Sequence, residues 1–303
     1  MSERALRQLV GALAVVVILG AVGMLLRSGS GGIGATGEAQ RVFDGLDAST
    51  VDEVRIEAPG SETVLSRGEG GWTVSGYPAD VEAVARMLST VSGLSVGDLV
   101  AANPANHDRM GVSADSALTV TFIAGDLSRT ILLGKSGRRF GTAYFRLPGQ
   151  DRVWLLEGDL RAALVRDLDA WRDRVIVSLD TTSVARLVVE RDGDGYALER
   201  GDSVWTFAGG GAVESGAVVG ILTELARLTA TGFLAEGDSI AAAPQAAATT
   251  AISAEGVVLA EVRFGDGTGD RWARSSESEW LYRVSSFRAN RVAPEREAVT
   301  PGG

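Results

Sequence analysis

Cysteine is absent from the 303-residue chain, histidine occurs once, at His107, and lysine once, at Lys135. Without cysteine there is neither a disulfide framework nor a lipoprotein attachment site, so the folded parts must be held by core packing alone. His107 lies in a polar loop and is read as a surface residue. A zinc site would have to draw most of its ligands from carboxylates, an uncommon set. Positive charge is also in deficit: 29 basic residues stand against 39 acidic ones, a formal net charge of −10. With Arg4, Arg7, Arg27 and Glu3 set aside, 26 basic and 38 acidic residues remain. Such a surface repels phosphate backbones, which argues against nucleic acid as a partner. No glycine-rich strand-to-helix turn of the dinucleotide-binding type occurs, and no cofactor is expected.

Charge is missing entirely from Leu9 to Leu26, a mostly apolar run between Arg7 and Arg27. As a helix it would be about 27 Å long, enough for a bilayer core. A buried helix of a soluble protein would show a polar face, and this segment has none. A cleavable signal peptide carries a shorter apolar stretch, about 7–15 residues. Residues 1–27 are therefore expected to form an uncleaved transmembrane anchor that meets the lipid bilayer through residues 9–26. Arg4, Arg7 and the α-amino group precede the run and Arg27 alone follows it. The positive-inside rule then places the N-terminus in the cytoplasm and the bulk of the chain outside it, as a single-pass protein of the inner (cytoplasmic) membrane. The Gly/Ser-rich stretch Ser28–Gln40 lies in a linker over 28–42 and reads as a flexible tether spanning about 20 Å root-mean-square.

What the rest of the chain has is repetition. Leu46-Asp47-Ala48-Ser49-Thr50-Val51 leads through Val54, Ile56 and Glu57 to Trp72-Thr73. Leu179-Asp180-Thr181-Thr182-Ser183-Val184 leads through Leu187, Val189 and Glu190 to Trp205-Thr206, at a constant offset of 133 residues. That period is a domain, far beyond the roughly 20–50 residues of solenoid repeats. Each half opens with three short alternating strands, then a helix with apolar residues at three- and four-residue steps. In the first helix these are Val81, Val84, Met87, Leu88, Val91 and Leu94, with Asp80 as N-cap. In the second they are Ala217, Val218, Ile221, Leu222, Leu225 and Leu228. Further strands follow at hairpin spacing. Leu160, Leu164 and Leu168 mark a short helix ending near Trp171, and Ala241–Thr250 reads as a low-complexity surface loop. By alignment, Leu132-Leu133-Gly134, Arg146 and Trp154 match Arg263-Phe264-Gly265, Arg274 and Trp280. The fold class is α+β: after the anchor, two tandem repeated modules of mostly antiparallel strands with one main helix each, over 43–176 and 177–297, and a tail at 298–303.

Tyr77-Pro78-Ala79-Asp80, Asn103-Pro104, Met110-Gly111-Val112, Leu132-Leu133-Gly134, Tyr144-Phe145-Arg146 with Val153, and Trp171-Arg172-Asp173-Arg174 follow in order. As an ordered set they resemble the family called domain of unknown function 4340, over roughly residues 43–297 and more clearly in the first half. The resemblance implies a membrane-anchored bacterial envelope protein associated with ABC transporters of the gliding-motility auxiliary type. It supplies no catalytic residues.

The chemistry-bearing candidates are few. Asp192-Gly193-Asp194-Gly195 lacks the further ligands of a calcium loop and reads as a hairpin turn. Trp72 and Trp205, at equivalent positions, are expected to seal each meander against its helix. The charged run Asp167–Arg174 reads as a joint between the halves. Lys135, Arg138 and Arg139 form the one dense basic spot, a possible contact with an acidic partner or a lipid headgroup. Its counterpart, Asp266–Asp270, is acidic. The functional expectation is a non-catalytic accessory or scaffold subunit acting with ABC transporter subunits or another envelope complex. The alternative is an extracytoplasmic lipid- or glycan-binding module.

Overall fold

A computed structural model describes residues 37, 39–202, 204–235 and 237–302. The expected anchor over 1–27 and the tether up to residue 36 lie outside the described residues. Among those described, no helix is long and apolar enough to cross a membrane. The chain divides into two compact units, Met1–Arg172 and Asp173–Gly303, and antiparallel strands dominate both.

In the first unit a meander of β1 (Glu53–Ala58), β2 (Ser61–Gly68) and β3 (Gly71–Val74) runs into a two-residue strand, β4 (Tyr77–Pro78). Helix α1 (Val81–Ser92) starts where the Asp80 carboxylate accepts the backbone N–H groups of Glu82 and Ala83, satisfying donors that a helix N-terminus leaves free. Val84, Met87, Leu88 and Val91 are buried, as is Leu94 beyond the helix. Val81, expected in the same stripe, is 65% exposed because it sits on the first turn, outside the buried face. Then come β5 (Ser95–Ala101), α2 (His107–Met110), β6 (Leu118–Ala124), β7 (Leu127–Ser136), β8 (Thr142–Arg146), β9 (Val153–Glu157), α3 (Leu160–Leu164) and α4 (Leu168–Trp171). The single helix expected near Trp171 is thus two: Val165 leaves helical geometry, and Leu168 is partly exposed.

The nine strands form one sheet in the order β4-β3-β2-β1-β6-β7-β8-β9-β5. Val54 and Ile56, Val120 and Phe122, Ile131 and Leu133, and Trp154 and Leu156 alternate onto one face and share a core with α1, α3 and Trp171. This is the period-two signature of a sheet covered on one side. Ala39, Val42 and Phe43 belong to the same core. Gln40 accepts the backbone N–H of Val96 through its side-chain oxygen at 2.8 Å. A tether reaching residue 42 is therefore corrected: the packed chain already includes residues 39–42, because these apolar side chains cover the edge of the core.

The second unit contains β10 (Val175–Val177), β11 (Arg186–Arg191), β12 (Asp194–Arg200), β13 (Trp205–Phe207), α5 (Ser215–Ala226) and β14 (Leu228–Thr229). It continues with β15 (Gly232–Phe233), β16 (Gln245–Ile252), β17 (Val258–Gly265), β18 (Asp270–Ser275), β19 (Ser278–Ser285) and α6 (Ser286–Val292). Its main sheet runs β13-β12-β11-β16-β17-β18-β19-β15. This is the order of the first sheet without β4; the far edge is again a strand that follows the main helix, here β15 rather than β14, the strand nearest that helix in sequence. β10 pairs with β14, so this unit opens ahead of the expected boundary at Val177.

Three expectations change here. Ala241–Thr250 is no surface loop: its second half enters β16, hydrogen-bonded between β11 and β17, with Ala247, Ala248, Thr249 and Ala251 buried. Small side chains on β16 leave room for α6, and the Thr249 hydroxyl donates to the Val292 carbonyl at 2.8 Å. Residues 298–303 are not wholly a tail, since Val299 is fully buried and its carbonyl accepts from the Glu214 N–H. Finally, Phe145 pairs with Trp154, and Ala273, the counterpart of Phe145, pairs with Tyr282. The partner of Trp154 in the repeat is therefore Tyr282 rather than Trp280.

Candidate functional site

The ordered motifs of the first unit converge in two places. At the first, Arg172 stacks over the Tyr77 ring at 3.9 Å and pairs with Asp169 at 3.3 Å. Ala79 bridges Arg172 through the backbone, and the Trp171 carbonyl accepts the Asp80 N–H. Asp167–Arg174 thus contributes an arginine and a tryptophan to the start of α1 within the first unit. At the second, Gly134 lies so close to the Met110 carbonyl and the Val112 side chain that a Cβ would collide with both. The buried Arg146 guanidinium donates to the carbonyls of Val112 and Gln150. Burial holds its pKa below the ordinary arginine value, partly offset by Asp151. Arg161 donates to the Gly134 carbonyl at 2.7 Å. Arg146, Arg161 and Arg172 thus direct their guanidinium groups at groups of the first unit.

His107 belongs to this second cluster. It is only 9% exposed, and its Nε2 lies 2.9 Å from the Asp151 carbonyl. The surface position expected for it is corrected: a short helix turns the ring under the loop before β9. Asn103 caps the turn ahead of it by accepting the Ala105 N–H.

The duplicated stretches also form matched structures. Asp47 accepts from the backbone of Ser49 and Thr50, and Asp180 accepts from the backbone and hydroxyl of Thr182. Arg67 donates to the carbonyls of Ala48 and Ser49; Arg200 donates to those of Thr181 and Thr182. Arg67 lies 5.0 Å from the centre of the Trp72 ring, and Arg200 lies 5.2 Å from that of Trp205. Each indole therefore backs onto its unit's core while carrying an arginine on its other face. The arginine was not anticipated from sequence, although it too recurs at the repeat offset.

The basic spot has a definite geometry. Between Leu133 and Ser136 the β7–β8 register gains a residue, a bulge that re-aims the strand end. Lys135 is exposed there, and its Nζ donates to the Arg109 carbonyl at 3.3 Å. The loop 137–141 is braced on both sides. Gly137 N–H donates to the Thr142 carbonyl, the Thr142 hydroxyl donates to the Arg139 carbonyl, and Gly158 and Asp159 donate to the Gly141 carbonyl. Arg139 pairs with Glu157 at 2.5 Å, while Arg138 is exposed. At the tip stands Phe140, 100% exposed. The loop bearing Lys135, Arg138 and Arg139 thus also presents an aromatic residue that sequence reasoning left out, although it directly follows the arginine pair.

The equivalent loop of the second unit is closed off. Arg271, Ser286 and the Ser286 N–H donate to the carbonyls of Gly267, Thr268 and Gly269, so α6 begins against it. Asp192 and Gly193 both take positive φ, 52° and 91°, the geometry of a tight two-residue hairpin turn. A shallow cavity of about 350 Å³ beside this turn is lined by Arg191, Asp192, Asp194, Tyr196, Glu295 and Arg296. Burial raises the Tyr196 phenol pKa well above its ordinary value, and its hydroxyl donates to the Pro294 carbonyl. Among the described residues, no group of three His, Asp or Glu side chains gathers as a metal site.

Residues 72–249 match the family described as Domain of unknown function (DUF4340). No curated protein and no solved structure matches the chain.

Proposed function

The chain belongs to the DUF4340 family, and we propose that it acts without catalysis, as a membrane-anchored accessory or scaffold subunit of an envelope complex. An ABC-type transporter is the partner class that the family resemblance suggests. The observation carrying this reading is where the motif residues spend their polar groups. Asp80, Arg146, Arg161 and Arg172 are directed at backbone carbonyls, amides or neighbouring side chains of the first unit. None is held in a cleft at a distance suited to proton transfer. The loop bearing Lys135, Arg138, Arg139 and Phe140 is exposed, a surface for contact. Residues 9–26 supply the anchor, which keeps that surface near the bilayer.

The test is crosslinking of the full chain in its native membranes, followed by identification of what is captured. Integral envelope proteins, transporter subunits among them, are the expected catch. Recovery of soluble proteins only, from membranes in which the complex is intact, overturns the reading.

A further inference from the structure

We infer that the β7–β8 loop is a lipid contact: Phe140 enters the headgroup region of an anionic bilayer while Lys135, Arg138 and Arg139 meet lipid phosphates. The inference deepens the membrane-anchored reading and rests on it for the nearness of the bilayer. Its first support is the composition of the tip. Phe140 is fully exposed, and transferring its ring into an apolar phase is favourable. Lys135, Arg138 and Arg139 lie in or beside the loop and Arg161 bonds the strand before it at Gly134, against Glu157, which pairs with Arg139, and Asp159. An exposed aromatic residue directly following two arginines is the composition of an interfacial anchor.

The second support is position. Gln40 bonds Val96; the adjacent Ser95 pairs with Glu157 across β5 and β9; Glu157 bonds Arg139. Thr142, which opens β8, also pairs with Glu157. The point where the chain from residues 9–26 joins the fold and the basic loop therefore lie at one end of one sheet. They are separated by about two strand spacings, roughly 10 Å. Residues 27–38 can reach at most about 40 Å, so an anchored chain keeps this end of the sheet within that distance of the bilayer. The acidic remainder of the molecule is repelled from anionic lipid, and that repulsion is screened within about 8–10 Å. Contact is thereby favoured at the loop bearing Lys135, Arg138 and Arg139.

The absence of cysteine makes the test clean. A single environment-sensitive fluorophore is placed in the full chain at Ser136→Cys, the base of the loop, or at Ser128→Cys, the opposite end of the same strand. The chain is reconstituted into vesicles of phosphatidylcholine with phosphatidylglycerol, or phosphatidylcholine alone, with nitroxide-bearing lipid as quencher. Quenching is expected at position 136 and not at 128, and weaker without the anionic lipid. Arg138→Ala should lower the equilibrium constant for loop insertion, read from quenching at position 136, about fivefold, and Phe140→Ala at least about tenfold. Absence of quenching at 136 overturns the inference, including the case where the loop instead captures an acidic protein. Equal quenching at both positions overturns it too. Alkaline carbonate extraction reads the anchor separately. A chain that stays in the membrane with an unquenched 136 probe keeps the anchored reading and loses the lipid contact. A released chain that is quenched at 136 before extraction does the reverse.

Discussion

Asp47 and Asp180 are fully exposed carboxylates whose pKa values nonetheless lie below the ordinary value. The first cause at each is a side-chain hydrogen bond, from Ser49 and from Thr182, followed by the backbone N–H of the same residue. A carboxyl whose pKa is lowered on folding contributes stability above its unfolded value and loses that contribution as pH falls through the folded one. Asp47→Asn and Asp180→Asn should therefore be less stable than the parent near neutrality. The gap should close below about pH 4, as measured by urea unfolding across a pH series. A gap that stays constant into acid would show that the charge on these turns is irrelevant. Gly134 gives a second residue-level test. Gly134→Ala drives a methyl into the Met110 carbonyl and should cost roughly 1–3 kcal/mol by overpacking. Gly70→Ala, with open space around it, should be neutral or stabilising by up to about 1 kcal/mol.

Among the elements, β16 shows how a strand can be structurally central and hard to recognise. Gln245–Ile252 offers alanine and threonine, with none of the hydrophobic contrast that marks Val54–Glu57 or Leu118–Ala124 as strands. Its assignment comes from ladders on both sides and from α6 packing onto it, neither of which is encoded locally. The Thr249 hydroxyl joins these two elements. Thr249→Val keeps the shape and strips the Val292 carbonyl of its partner, at a cost of about 1–3 kcal/mol; denaturant unfolding of the variant checks it. The meanders, α1 and α5 were legible because alternation, turn residues and the Asp80 cap all point the same way. β5 was not, because Ser95–Ala101 interrupts its apolar residues with Gly97 and Asp98, buries none of them fully and is bulged twice against β9. At the candidate site, the charges of Lys135, Arg138 and Arg139 were legible and the exposure of Phe140 was not. An aromatic residue is ordinarily core, and only the braced loop shows this one facing outward.

At the scale of the whole molecule, two hydrophobic cores, one built around Trp154 and Phe122 and the other around Phe264 and Ile221, fall on either side of Arg172. Two cores give two cooperative units. Calorimetry of the full chain is expected to resolve into two transitions. Thr249→Val should lower only one of them, and Gly134→Ala only the other; a single transition moved by both variants would contradict this. The duplicated framework is thus conserved where it is apolar, and the two halves differ where loops meet solvent. One loop, at Phe140, is open; its counterpart at Gly267 is closed by α6.

The sheet orders given above leave four strands at the edges, and each is poorly suited to accept another strand. β4 and β15 are two residues long, with Pro78 in the former, and β13 has three residues. β5 is longer, but its two register shifts break the regular ladder that an incoming chain would need. A long regular edge in a molecule rich in antiparallel strand would be a template for another copy's strand. With these margins cut short, crooked or capped by proline, neither main sheet offers a neighbouring copy such a template.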